Sequence, residues 1–115
     1  MKATNLVGGI ALGINNQTGT AYTLALSDAG KLVSASNAAA NSVTIPLNAT
    51  VAYDIGAVIE IVQAGAGATT IVATEGVTVN VIATKTLVLA GRYGVARLVK
   101  VGTDTWELSG DLTAA

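Results

Sequence analysis

From Thr20 onward the chain is a succession of short runs in which apolar and polar residues alternate with period two, each closed by turn-forming residues. This alternation constrains the fold more than any other feature. Successive strand residues point to opposite faces, whereas a helix would need a repeat near 3.6. Tyr22, Leu24 and Leu26 alternate with Thr23 and Ala25 ahead of Ser27-Asp28-Ala29-Gly30. Lys31 to Ser36 forms a second run and Ser42 to Ile45 a third, stopped by Pro46, the only proline. Ala57 to Gln63 is the most apolar run and ends at Ala64-Gly65-Ala66-Gly67. Thr69 to Thr74 and Val77 to Ile82 flank Glu75-Gly76, a tight-hairpin signal. Thr86 to Leu89 leads into Gly91-Arg92-Tyr93-Gly94, and Val95 to Val101 is joined to Thr105 to Ser109 by Gly102-Thr103-Asp104. Val, Ile and Thr dominate these runs, as a half-buried pleated surface prefers. About nine short strands at roughly 8–12-residue spacing predict an all-β fold, an antiparallel sandwich or barrel. Only Ser36 to Asn41 could form a helical turn, and a loop fits it equally well.

A chain of 115 residues has room for one core. We divide it into an apolar amino-terminal arm, residues 1–18, and a β-domain, residues 19–115. The arm carries LVGGIALGI from Leu6 to Ile14. That run is too short for a membrane span, which takes about 20 apolar residues, and no small-x-small cleavage site of a signal peptide follows it. With glycines at 8, 9 and 13 such a segment becomes ordered when something holds it. The segment reads either as a first strand or ordered arm, or as an arm that docks on a neighbouring protein, with Leu6, Val7, Ile10, Leu12 and Ile14 as the expected anchors.

Charge raises a problem that alternation alone does not solve. Only 11% of residues are charged while 51% are hydrophobic, against roughly 25% charged in ordinary soluble domains. A domain of this size buries only about two-thirds of its surface. The remainder must be covered by Thr, Ser, Asn and Gly, by another subunit, or by both. With six Lys and Arg and a net charge of -1, the chain lacks the basic clustering that nucleic-acid binding requires. A mean hydropathy of +0.61 excludes intrinsic disorder. The absence of Cys and His excludes disulfides, thiolate or imidazole metal sites and His-dependent triads.

So few charges can be taken one at a time. Glu60 shares a strand face with Val58 and Val62, and Arg97 shares one with Val95 and Val99. Each is a charge on an otherwise apolar strand face, and the two are candidates for an ion pair, buried within the chain or across a subunit boundary, because an unpaired buried charge costs several kcal/mol. As a general acid Glu60 lacks a partner carboxylate at useful spacing. Gly65-Ala66-Gly67-Ala68-Thr69-Thr70 lacks the Gly-Lys-Ser/Thr of a phosphate loop and reads as a turn. Asp28 and Asp104 are isolated carboxylates rather than a calcium-loop ligand set. Lys31, Lys85 and Lys100 have no Ser-x-x-Lys spacing that would activate a nucleophile. Asn16-Gln17-Thr18 and Asn48-Ala49-Thr50 match the glycosylation sequon, a pattern short enough to arise by chance. Trp106 is expected to plug one end of the core beside Leu108. Tyr53 and Tyr93, next to Asp54 and Arg92 in expected loops, are candidates for exposed recognition. No catalytic, cofactor-binding or metal-ligating set emerges, and the chain is not expected to be an enzyme.

Three stretches carry a resemblance: TGTAYTLALSDAGKLVSASNAAANSVTIP, IGAVIEIVQAGAGATTIVA and GRYGVARLVKVGTDTWELSGDL. Together they resemble a β-rich module of structural proteins of tailed bacteriophages. The shared order is a Tyr-Thr-Leu strand, an Asp-Ala-Gly-Lys turn, an Asn-Ala loop, a Val-Thr-Ile-Pro strand, a Gln-Ala-Gly-Ala-Gly turn and a closing Gly-Thr-Asp-x-Trp-x-Leu-x-Gly-Asp-Leu. The match spans Thr18 to Leu112, and its closing motif is the most specific part. The resemblance implies a virion component, commonly homotrimeric, made in the bacterial host cytoplasm. In the family the module often ends a longer fibre or tail protein. This chain opens at a Met with no shaft, coiled-coil heptads or collagen repeat ahead of the module, an arrangement expected of a free-standing protein attached to a particle. The expected role is a capsid decoration (cement) or short head-fibre protein on the capsid surface, with the major capsid protein and its own copies as partners. No nucleic acid, membrane or cofactor partner is expected. The alternative is a receptor- or carbohydrate-binding module of a tail fibre or baseplate.

Overall fold

The alternating runs become strands, and the turns between them carry the chain from one sheet to another rather than back beside itself. The structure, a computed structural model, describes residues 13–115. Eleven strands form among these residues: β1 (Ile14–Gln17), β2 (Ala21–Thr23), β3 (Leu32–Ala35), β4 (Asn41–Ile45), β5 (Val58–Gln63), β6 (Thr69–Ala73), β7 (Thr78–Val81), β8 (Lys85–Leu89), β9 (Val95–Gly102), β10 (Thr105–Gly110) and β11 (Leu112–Ala114). Two sheets result. The first has the order β1-β3-β5-β9-β10-β7 and the second the order β11-β8-β6-β4-β2. The fold is all-β, as expected, with one turn of 3-10 helix at Leu26–Asp28. The Ser36 to Asn41 segment is a loop that runs into β4 at Asn41.

The purely antiparallel expectation is corrected. β1, β3 and β5 are parallel neighbours, and so are β2, β4 and β6. The first half of the chain is thus a coil of three rungs, each laying one strand in each sheet. Parallel neighbours need a long crossover, and here the strand in the opposite sheet supplies it. A turn signal marks where a strand stops, not which sheet receives the next one. Glu75-Gly76 illustrates this: Gly76 takes a φ of 97° and Val77 N–H donates to Thr74 O at 2.8 Å. The turn is tight, yet it leads from β6 in the second sheet to β7 in the first. By contrast Thr103-Asp104 does form a hairpin, with Gly102 opposite Thr105. Strands β8 to β11 then close the last rung through antiparallel pairs, and β10 also runs parallel to β7.

The rungs stack because their turns nest. Gly67 N–H donates to Asn37 O at 2.9 Å, and Asn37 Nδ2 donates to Thr18 O at 2.8 Å, so three successive turns are stitched together. A Cβ on Gly67 would fall inside the Ala39 carbonyl, and one on Gly65 would meet the Asn37 backbone. The Gln-Ala-Gly-Ala-Gly sequence is therefore a packing requirement, with glycine admitting close backbone approach. Buried Gln63, Asn41 and Thr69 hold the same corner: Gln63 Nε2 donates to Gly65 O at 3.2 Å and Thr69 Oγ1 to Asn41 Oδ1 at 2.6 Å.

Between the sheets lies a core of Leu24, Val33, Val43, Ile45, Ile59, Ile61, Ile71, Leu89, Leu98, Leu108 and Leu112. Aligned rungs place aliphatic side chains over one another, which suits a chain with only 3% aromatics. Trp106 is buried at 1% exposure and meets Tyr53 edge-on, ring centroids 5.3 Å apart. The first rung of the described residues breaks the apolar column with the half-buried polar side chains of Asn15, Gln17 and Tyr22. β1 also shows that the first sheet takes in Ile14 to Gln17, the last part of the segment read as an arm.

Candidate functional site

The two outer sheet faces resolve the question of the missing charge. On the second sheet the outward positions are Ala21, Thr23, Ser42, Thr44, Thr70, Val72 and Val88, with Thr86 and Thr113 hydroxyls bonded across β8 and β11. Hydroxyls make up most of these positions, with Ala21, Val72 and Val88 between them, and none of them is charged. The outer face of the first sheet is different. Leu32, Val58, Val62, Val95 and Val99 are half-buried there, and Ile14, Val101 and Ile82 are exposed at 63%, 44% and 66%. Glu60, Arg97 and Glu107 are the charges among them. A shallow depression of about 400 Å³ on this face is lined by residues including Ile82, Arg97, Val99 and Glu107. Among the described residues no second layer covers these valines.

Glu60 and Arg97 lie directly opposite one another across the antiparallel pair β5 and β9. Arg97 is exposed and Glu60 half-buried. The register thus sets the two face to face within one chain on an outer face, while the inward positions of both strands belong to Ile59, Ile61, Ala96 and Leu98. Leu32 and Ile14 continue the same row on β3 and β1.

Tyr53 is not an exposed recognition residue. It is 4% exposed, its ring packs on Trp106, and its hydroxyl donates to Ala25 O at 2.5 Å. Its neighbours Ile55 and Leu26, exposed at 62% and 58%, rim a groove of about 550 Å³ at the same end of the sandwich. Tyr93 is 68% exposed and has a φ of 72°, a left-handed conformation that bulky residues rarely adopt. Its N–H donates to Gln63 O at 2.6 Å, and Arg92 lies 5.0 Å from its ring centroid while Arg92 Nε donates to Ala64 O at 3.1 Å. Such a conformation costs about 1–3 kcal/mol and concentrates at functional positions. Of the anchor residues, Ile14 is an exposed position of β1, whereas Leu6, Val7, Ile10 and Leu12 lie outside the described residues.

Two charges that alternation did not single out are interior. Asp28, 1% exposed, accepts from Tyr22 Oη at 2.6 Å, Ala25 N–H at 2.8 Å and Asn15 Nδ2 at 2.8 Å. Lys100, 2% exposed, donates from Nζ to Asn48 Oδ1 at 2.5 Å and Tyr53 O at 2.8 Å. Their sequence signals were faint: Asp28 sits in an ordinary turn motif, and Lys100 alternates into an inward position only once Leu98 and Ala96 are known to face the core. Burial, the hydrogen bond to Asp28 and the charge of Asp28 push the Tyr22 phenol up to about 12. Burial likewise raises Tyr53, with the Asp28 charge adding to it. With three donors converging on its carboxylate, Asp28 ties together the elements that carry them. Among the described residues no group of three or more His, Cys, Asp or Glu could hold a metal ion, and no helix is long and apolar enough to cross a membrane. No family model matches the chain, and no curated protein sequence matches it.

Two outcomes follow from this geometry. The folded protein holds the Tyr22 proton more tightly than the unfolded chain. The stability this contributes is present below about pH 10 and is lost as pH rises from 10 toward 12. In urea unfolding across that range Tyr22→Phe makes the decline shallower, and an unchanged slope would contradict the assignment. For the cross-strand pair, a double-mutant cycle on Glu60→Ala and Arg97→Ala gives a coupling of about 0.2–1 kcal/mol. Strict additivity would show that the facing register carries no interaction.

Proposed function

We propose that this protein is a virion structural component of a tailed bacteriophage, a capsid decoration or short head-fibre protein that binds the major capsid protein and stabilises the shell. The observation that carries this reading is the outer face of the first sheet. Its half-buried Leu32, Val58, Val62, Val95 and Val99 lie side by side around Glu60 and Arg97, with exposed Ile14, Ile82 and Val101 at the margins, and clustered apolar side chains on an outer face mark interaction sites. The phage-module motifs over Thr18 to Leu112 support the same reading and supply its oligomeric state, a homotrimer. In this account the valine face packs between copies, while the apolar segment from Leu6 to Ile14 and one end of the trimer grip the shell. Area buried across capsomer boundaries, worth roughly 25 cal/mol per Å², resists internal pressure, and three attachment points on one particle add avidity.

A second reading, a receptor- or carbohydrate-binding module of a tail fibre or baseplate, is favoured by Tyr93. An exposed aromatic held at a φ of 72° beside Arg92 suits a recognition contact.

Light scattering tests the assembly. Three chains of 11.4 kDa give a species of about 34 kDa, and Val99→Asp on the valine face shifts it to the single-chain mass with the β-fold retained by circular dichroism. A monomer at micromolar concentration for the unmodified chain would remove the case for the valine face as a subunit contact. Co-sedimentation with capsid shells, but not with tail structures or host envelope sugars, is the outcome that selects decoration over receptor binding.

A further inference from the structure

Lys100 is the most unusual charge in the molecule. It lies on β9 opposite Trp106 of β10, faces the core and is 2% exposed. An ammonium removed from water is costly unless well paired, yet its two hydrogen-bond acceptors are neutral: Asn48 Oδ1 at 2.5 Å and the Tyr53 carbonyl at 2.8 Å. Asn48 is itself fixed, since its backbone N–H donates to Asp104 Oδ1 at 2.7 Å, and Asp104 belongs to the turn between β9 and β10. The Tyr53 and Trp106 rings, packed edge to face, stand beside the pair. A buried amine and a half-buried carboxamide are therefore held against each other, with the amide carbon one bond beyond the contacted oxygen.

We propose that Lys100 and Asn48 condense to an intramolecular isopeptide bond. The Nζ lone pair, freed when the ammonium gives up a proton, attacks Cγ of Asn48. The attacking nitrogen loses a second proton, the carbon–nitrogen bond to the side-chain amide nitrogen breaks, and that nitrogen takes up both protons and leaves as ammonium. The net change converts the lysine ammonium and the asparagine carboxamide into a secondary amide and an ammonium ion, so atoms and charge balance without oxidant, reductant or water. The reaction also removes the buried charge, because the positive charge departs to solvent with the ammonium. The link would tie the β4–β5 loop to β9 across 52 residues of sequence, in a chain that has no cysteine for a disulfide. Closing a long loop in this way restricts the unfolded chain as a disulfide does.

Intact-mass measurement of the purified full-length protein tests this directly. Loss of ammonia places the chain about 17 Da below its sequence mass. Lys100→Met and Asn48→Ala each return to the mass expected of their sequences, and a protease digest of the unmodified chain contains one branched peptide joining Asn48 to Lys100. An unmodified protein at its full sequence mass overturns the proposal. So does a deficit that persists in Lys100→Met, which would mark cyclisation of an asparagine on its own backbone. If either variant fails to fold, the branched peptide in the digest of the unmodified chain decides alone, its absence being as conclusive as its presence.

Discussion

Nested turns are the constraint on which this structure depends. A rung can lie on the one before it at sheet spacing only if the loops at its ends lie equally close. At one end that closeness is reached by backbone alone, Gly65 and Gly67 against Asn37 and Ala39. Once the turns stack, β3 falls into register with β5 and β4 with β6, and like positions align in rows perpendicular to the strands. The rows determine what each surface is. Inward they stack Val33 on Ile61 and Val43 on Ile71; outward they produce a hydroxyl face on one sheet and a valine face on the other. A side chain at Gly67 would separate the rungs and disturb all three surfaces together.

Polar groups inside the sandwich hold this arrangement together. Asp28 gathers Tyr22, Asn15 and the Ala25 N–H, and so pins the turn between the first two rungs to the strands that enter and leave it. Tyr53 links that turn to the other side of the molecule. Its hydroxyl reaches Ala25, its carbonyl receives Lys100 and its ring packs on Trp106. A chain with only 13 Asp, Glu, Lys and Arg residues thus commits two of them to its interior, which leaves the outer faces still poorer in charge than the composition suggests.

Strand positions were legible in the sequence because a period of two depends only on which residues meet water. Trp106 beside Leu108 was legible for the same reason. Strand partnership was not. Asp28-Ala29-Gly30 and Glu75-Gly76 are good turn residues whether the chain returns beside itself or crosses to a facing sheet, and only the stacking of remote loops decides between them. The alternation placed Glu60 and Arg97 each among valines, but the opposition of the two rests on the β5–β9 register, a long-range property. Tyr53 and Tyr93 looked alike as aromatics beside a charge in a loop. They separate because one loop folds back over Trp106 and the other is held outward by hydrogen bonds to Gln63 and Ala64.

Seen together, these features describe a part whose surfaces are made to be covered: a charge-free hydroxyl face, a valine face, and a polar first rung preceded by an apolar segment. The role we propose, being held in place on a phage shell, would use all three. Electron microscopy of particles carrying the labelled protein measures this most directly. Our account places density at symmetry-related positions on the capsid surface, three copies about each local three-fold. Density confined to the tail or baseplate, with a bare capsid, would contradict it.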